Sequence, residues 1–218
     1  MVGHCELIFG SMYCGKSEEL LRRLKRAKIG GQQILLFKPA IDNRYGDKIV
    51  ATHSANSTQM KIEEFLKKYI KNVKDVSQNI MKLSSEVENA IPVKNSSEIL
   101  NYISDQYQVI GIDELQFFDN GIIDVIKELI KQGKRVVCSG LDMSADGEPF
   151  GDVIPYIACI SKEVDKLHAI CVDCGEEAYI SHKISDNKSN KHQTIDVGSN
   201  GKYIALCENC RDKREKRQ

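Results

Sequence analysis

The sequence HCELIFGSMYCGKSEELLRRLKRA, residues 4–27, decides the fold. It begins with a short apolar run, residues 4–9, typical of a buried strand, and it ends with residues 17–27, where leucines recur at helical spacing. The segment between them, GSMYCGKS, fits the pattern GxxxxGK followed by serine or threonine, in the strand–loop–helix context that the pattern requires. This context argues against the alternative, a chance glycine turn. We therefore predict a phosphate-binding loop made of Gly10, Ser11, Met12, Tyr13, Cys14, Gly15, Lys16 and Ser17.

The residue types of this loop suit a nucleoside triphosphate. Glycines allow successive backbone N–H groups to surround phosphate oxygens, and the N-terminus of the following helix adds partial positive charge. Lys16 supplies a full positive charge, and the Ser17 hydroxyl is an oxygen ligand of the kind that magnesium takes. The loop therefore predicts ATP with Mg²⁺ as a co-substrate.

Further apolar runs at residues 33–37, 109–112 and 135–139 predict three more strands, and residues 121–131 predict a helix between the last two. This alternation indicates an α/β fold, a parallel sheet covered by helices. Residues 57–88 are rich in lysine, glutamate and asparagine with apolar residues at helical spacing, which predicts an amphipathic helical insertion. We divide the chain into an ATP-binding domain (1–166), a cysteine-containing lobe (167–211) and a basic tail (212–218).

Two carboxylates follow the predicted strand at residues 109–112. A phosphate-binding loop needs a carboxylate at the end of a neighbouring strand to hold the magnesium shell, and Asp113 fits that role. Glu114 follows it directly, at the strand end where α/β sheets place their ligands, so it could accept a proton from an attacking hydroxyl or water. The alternative interpretation of Glu114 is a second, solvated carboxylate.

Four of the eight cysteines form two CxxC pairs separated by 32 residues. This spacing is typical of a closed, tetrahedral structural zinc site, with two redox centres as the alternative. We predict that Cys171, Cys174, Cys207 and Cys210 bind Zn²⁺. The other four cysteines lie in or beside apolar runs, which predicts buried and inert thiols at Cys5, Cys14, Cys138 and Cys159.

The balanced charge and the hydropathy of the sequence argue against some classes of function. Lysine plus arginine and aspartate plus glutamate number 31 each, so no overall field favours nucleic acid or an anionic membrane. No apolar run approaches the roughly 18 residues of a membrane span, and paired cysteines of this kind suit a reducing compartment. We expect a cytoplasmic protein that binds neither nucleic acid nor membrane, with the basic tail as the only candidate nucleic-acid arm.

Several short sequence motifs follow one another along the chain. They are GSMYCGKSEELLRR, DNRY at 42–45, IDELQFF at 112–118, LDM at 141–143, PFG at 149–151 and the two cysteine pairs. In this combination the chain resembles the zinc-containing, cytosolic type of thymidine kinase, over residues 3–211 apart from the insertion. The resemblance implies transfer of the ATP γ-phosphoryl group to the 5′-hydroxyl of deoxythymidine. It also implies a homotetramer with dTTP as feedback inhibitor.

The resemblance assigns roles to individual residues. Glu114 would be the catalytic base, and further contacts to ATP and its phosphates would come from Asp42, Arg44, Asp113, Glu114 and Gln116. The nucleoside would be enclosed by Met12, Phe117, Leu141, Phe150, Ser181, Asp196, Val197, Gly198 and Tyr203. A zinc-anchored loop, 183–202, would close over the nucleoside. Two residues depart from the family pattern, Leu115 and Ser181, the latter where threonine is common.

A rival function from another class stays open at this point. A P-loop ATPase whose zinc lobe binds nucleic acid or a protein partner would use Glu114 to orient water. The balanced charge and the lack of interleaved basic and aromatic residues in the lobe favour the kinase.

Overall fold

The computed structural model describes residues 2–42, 49–51, 87–184 and 202–216. Within these ranges the main body is a six-stranded sheet in the order β5-β2-β6-β7-β1-β8, and every neighbouring pair is parallel. Its strands are β1 His4–Gly10, β2 Ile34–Pro39, β5 Ile91–Val93, β6 Val109–Ile112, β7 Arg135–Leu141 and β8 Glu163–Leu167. The predicted α/β class with a parallel sheet is therefore confirmed.

Helices cover both faces of the sheet because side chains alternate along each buried strand. On β7, Val136 and Cys138 join one core cluster and Val137 joins the other. Helix α1, Lys16–Ile29, packs on one face, while α2, Ile122–Lys131, and α3, Val153–Ile160, pack on the opposite face. Both clusters consist mainly of buried aliphatic side chains, so they hold the strand ends in fixed positions.

A buried ion cluster joins β1, α1 and β7. Glu6, which is 2% exposed, accepts hydrogen bonds from Arg23 Nη1 at 2.8 Å and from Arg135 Nε at 2.6 Å. Arg23 also donates to Glu19 and Asp165. Burial disfavours the charged form of Glu6, but hydrogen bonds from the two arginines outweigh burial and hold its pKa below the ordinary value.

The described part of the C-terminal lobe contains two small antiparallel sheets and a helix. Strand β9, Ala169–Ile170, pairs with β10, Glu177–Ala178, and β11, Ile180–Lys183, pairs with β12, Tyr203–Leu206. Helix α4, Glu208–Glu215, follows. This helix includes the first residues of the predicted basic tail.

Other sequence predictions need correction or lie outside the described ranges. Most of the predicted helical insertion is not among the described residues, but its end forms strand β4, Val87–Asn89, antiparallel to β3, Ile49–Ala51. Cys159 is exposed, because α3 buries Val153, Ile154 and Ile157 and thereby turns Cys159 away from the core. Among the described residues, no helix is long and apolar enough to cross a membrane.

Candidate active site

The phosphate-binding loop connects β1, which ends at Gly10, to α1, which begins at Lys16. The loop turns sharply, with Tyr13 at φ 66° and Gly15 at φ 86°. A Cβ atom on Gly10 would lie 2.1 Å from the carbonyl oxygen of Leu167, so only glycine can pass the end of β8 here. Lys16 Nζ lies across the loop and donates to the Ser11 carbonyl at 2.5 Å. The structure therefore has the strand–loop–helix arrangement that the sequence predicts.

The Cys14 side chain packs against the buried cluster of the C-terminal lobe. Burial raises the pKa of Cys14, and the ammonium group of Lys16, 3.6 Å away, only partly opposes that effect. A thiol that stays neutral makes a compact, uncharged filler beside the phosphate site. Cys14 is half-buried, whereas the sequence predicts a buried thiol at this position.

Ser17 and Asp113 meet where the loop faces the end of β6. The Ser17 hydroxyl donates to Asp113 Oδ2 at 3.4 Å, and the Ser139 hydroxyl donates to Asp113 Oδ1. Asp113 is 5% exposed. A hydroxyl and a carboxylate at this distance form an oxygen donor set of the kind that magnesium prefers, so these residues fit the predicted magnesium role.

Glu114 is held by Gln116. Its backbone lies in the left-handed region at φ 53°, which is uncommon for a residue with a side chain. Gln116 Nε2 donates to Glu114 Oε2 at 2.5 Å, and Gln116 Oε1 accepts from the Leu141 N–H at 2.9 Å. The resemblance implies that Gln116 contacts ATP or its phosphates, and its two hydrogen bonds here also connect the carboxylate of Glu114 to the end of β7.

Gly140 provides the room for this arrangement. A Cβ atom there would lie 2.9 Å from Gln116 Oε1 and 2.7 Å from Ile154 Cδ1. Both contacts are shorter than side chains tolerate, so any larger residue would displace Gln116.

The candidate nucleoside residues that the structure describes fall into two groups. In the first, the rings of Phe117 and Phe150 meet edge to face with centroids 5.6 Å apart, and the Phe150 N–H donates to the carbonyl of Asp142, next to Leu141. In the second group, which contains Met12, Ser181 and Tyr203, the C-terminal lobe meets the phosphate-binding loop. The Met12 N–H donates to Ser181 Oγ at 2.9 Å.

The remaining predicted contacts are only partly described. Asp42 follows β2, is 4% exposed and donates its N–H to the Pro39 carbonyl at 2.9 Å. The predicted contacts outside the described residues are Arg44, Asp196, Val197 and Gly198.

Two residues near the site, Ser139 and Asp142, are absent from the predictions made from the sequence. Ser139 supports Asp113 from the neighbouring strand, and no local pattern marks it. Asp142 is 8% exposed and lies 3.2 Å from Lys166 Nζ, linking the ends of β7 and β8 on either side of β1. Asp142 directly follows β7 in the structure, but the predicted strand ends at residue 139, so the sequence does not place this carboxylate at a strand end as it does Asp113.

The four paired cysteines converge in the C-terminal lobe, with sulfur atoms all within 4.8 Å of one another. Zn–S bonds of about 2.3 Å place tetrahedral sulfurs about 3.8 Å apart, so the cluster fits a zinc ion. Burial opposes ionisation of Cys171, but backbone N–H groups of Cys207, Asp173 and Cys174 outweigh it and lower its pKa to about 6. A thiolate at this position is the form that binds metal.

Comparison with known proteins assigns the family. The family model described as thymidine kinase matches residues 3–87 and 59–211. The chain is 38% identical to a thymidine kinase of Bacteroides thetaiotaomicron and 39% identical to one of Bacteroides fragilis, each over 95% of this chain and 86% of the relative. Among solved structures, domain III of the Thermotoga maritima replication initiation protein DnaA matches at a TM-score of 0.37 and 13% identity, covering 75% of this chain and 54% of that chain. A similarity this weak does not bear on the function. The matches to the family model and to these relatives confirm the resemblance seen in the sequence, and the chain belongs to the thymidine kinase family.

Proposed function

We propose that this chain transfers the γ-phosphoryl group of ATP to the 5′-hydroxyl of deoxythymidine, giving dTMP and ADP. The observation that carries the proposal is the meeting of the phosphate-binding loop, Asp113 and Glu114 at one edge of the sheet. Family membership supports the choice of substrate. A bond forms between the 5′-oxygen and the γ-phosphorus, the bond to the bridging oxygen breaks, and the hydroxyl proton passes to Glu114.

The donor side of the site would hold ATP. Backbone N–H groups of the loop and the Lys16 ammonium would bind the β- and γ-phosphates, as in other loops of this sequence pattern. Ser17 and Asp113 would hold magnesium, which when bound neutralises negative charge on these phosphates. The residues thereby position ATP for in-line attack, and positioning with electrostatics accounts for most of the acceleration in this reaction class.

The acceptor side would place the sugar hydroxyl against Glu114. Gln116 restrains the carboxylate, and the 9% exposure of Glu114 limits competition from water. A fixed base of this kind typically contributes about 10²- to 10⁴-fold in rate. Gln116 also accepts a hydrogen bond from the Leu141 N–H, which connects the catalytic carboxylate to a candidate nucleoside contact.

The pyrimidine would lie among apolar and aromatic side chains contributed by Met12, Phe117, Leu141, Phe150 and Tyr203. Flat apolar faces suit a base ring, and Ser181 would face its 5-methyl group. On the family resemblance we further propose that dTTP inhibits the enzyme, that the chain forms a homotetramer and that it acts in the cytoplasm. Zinc held by the four cysteines would be structural, because four sulfur ligands leave no position for substrate.

The test is ADP production by purified protein with ATP, Mg²⁺ and single nucleosides. We expect ADP release that depends on deoxythymidine and matches dTMP formation one to one. Hydrolysis of ATP without nucleoside, stimulated by DNA or RNA, would instead support an ATPase whose zinc lobe binds nucleic acid.

A further inference from the structure

Within the described residues, hydrogen bonds from three consecutive residues of the phosphate-binding loop connect it directly to the C-terminal lobe. The Ser11 hydroxyl donates to the Ala178 carbonyl at 3.3 Å. The Met12 N–H donates to Ser181 Oγ at 2.9 Å. The Tyr13 hydroxyl donates to the Tyr203 carbonyl at 3.2 Å. Three consecutive residues of the loop are therefore bonded to three different strands of the lobe, β10, β11 and β12.

The next loop residue continues this contact. Cys14 packs against the buried cluster of the lobe, which contains Ala178, Leu206 and the metal-site cysteines Cys171 and Cys210. The hydrogen bond from Tyr13 to Tyr203 lies where the loop backbone is least favourable, since Tyr13 has a positive φ of 66°. A residue in such a conformation persists only where its surroundings hold it.

The lobe strands that hold the loop are themselves attached to the cysteine cluster. Strand β12 leads directly into Cys207, and the Val172 N–H, next to Cys171, donates to the Ala205 carbonyl on β12 at 3.1 Å. Ala178 pairs with Ala169, two residues before Cys171. A metal ion bound by the four cysteines would therefore fix the positions of the strands that carry the hydrogen-bond acceptors for the loop.

We infer that the C-terminal lobe positions the phosphate-binding loop, so that metal binding to the four cysteines strengthens ATP binding as well as the fold of the lobe. Ser181 and Tyr13 act as positioning residues, because they hold the loop backbone in the shape that receives phosphate. The inference rests on the proposed function only for the identity of the nucleotide. It concerns ATP binding without nucleoside, so it can fail while the kinase activity stands.

The experiment measures ATP affinity by calorimetry, without nucleoside, for wild-type protein and for Tyr13→Phe, Ser181→Ala and the double variant. Loss of each hydrogen bond should weaken ATP binding about three- to tenfold, the range expected for one hydrogen bond. Tyr179→Phe is the matched control, since the Tyr179 hydroxyl bonds within the lobe, to Glu208 at 3.1 Å. It should bind ATP as wild type does.

A second measurement tests the connection to the metal. Chelation of zinc should weaken ATP binding to wild-type protein by at least about tenfold and should weaken it clearly less in the double variant, because the connecting bonds are already absent. Circular dichroism would verify that each protein stays folded. Equal ATP affinity of wild type and the double variant, or the same loss on chelation in both, would overturn the inference.

Discussion

Glu6→Gln should destabilise the protein strongly although the residue lies outside the candidate active site. The substitution keeps the shape of Glu6 but removes the charge that faces Arg23 and Arg135. Breaking one side of a buried ion pair costs about 3–5 kcal/mol. The cost here should be about 2–4 kcal/mol, since Arg23 keeps Glu19 and Asp165 as partners and the Arg135 side chain is 25% exposed.

Thermal unfolding at fixed zinc concentration measures this loss. At about 2–4 °C per kcal/mol for a chain of this size, the midpoint should fall by about 5–15 °C. The matched control is Glu163→Gln, because Glu163 lies 3.7 Å from the same Arg23 but its side chain is 56% exposed, and it should change stability by less than about 0.5 kcal/mol.

Wild type and Glu6→Gln should also differ in how their stability depends on pH, and the direction of this difference follows from the pKa of Glu6. The pKa of Glu6 is lowered in the folded state, so its contribution is present above the ordinary carboxyl value of 4.5 and is lost as pH falls through the folded-state value. The difference between wild type and Glu6→Gln should therefore be full at neutral pH and shrink in acid. A midpoint within about 2 °C of wild type at pH 7 would refute the reasoning, given the slope used above.

Three further predictions concern the lobe and the pocket. Cys174→Ser should lower the zinc content below one ion per chain and lower the unfolding temperature; full zinc content by elemental analysis would exclude a ligand role. Tyr203→Ala should raise the KM for deoxythymidine about 10- to 100-fold and that for ATP much less, as expected for loss of a large apolar contact; a defect confined to ATP would place Tyr203 in the donor site. Gly140→Ala should displace Gln116 and lower kcat with little change in the ATP KM, and steady-state kinetics with normal kcat would show that Gln116 does not restrain the base.

Much of the fold can be predicted from the sequence because the patterns that indicate it lie within short stretches of the chain. The strand at 109–112 has the same bounds in the structure, and the phosphate-binding loop lies between the strand and the helix that its pattern requires. The acidic pair after β6 follows from the rule that parallel strands present their carboxyl ends at one edge. The cysteine cluster follows from spacing alone, since paired CxxC motifs form closed sites.

The features that the sequence does not reveal depend on residues distant in the chain. Ser139 approaches Asp113 only because β7 pairs with β6, and Gln116 reaches Leu141 only through the same pairing. The bond from Met12 to Ser181 spans two parts of the chain that no pattern connects. The composition and helical spacing of the insertion predict helix up to residue 88, whereas pairing with β3 makes Val87–Asn89 a strand.

The most direct test of the proposed reaction compares dTMP formation by wild-type protein and Glu114→Gln in a single turnover with saturating ATP and deoxythymidine. The variant keeps the shape of the side chain but cannot accept the 5′-hydroxyl proton, so we predict a rate lower by about 10²- to 10⁴-fold. Calorimetry should show ATP binding close to that of wild type, because the phosphate-binding loop, Ser17 and Asp113 are unchanged. A near-normal rate of dTMP formation by Glu114→Gln would contradict the account.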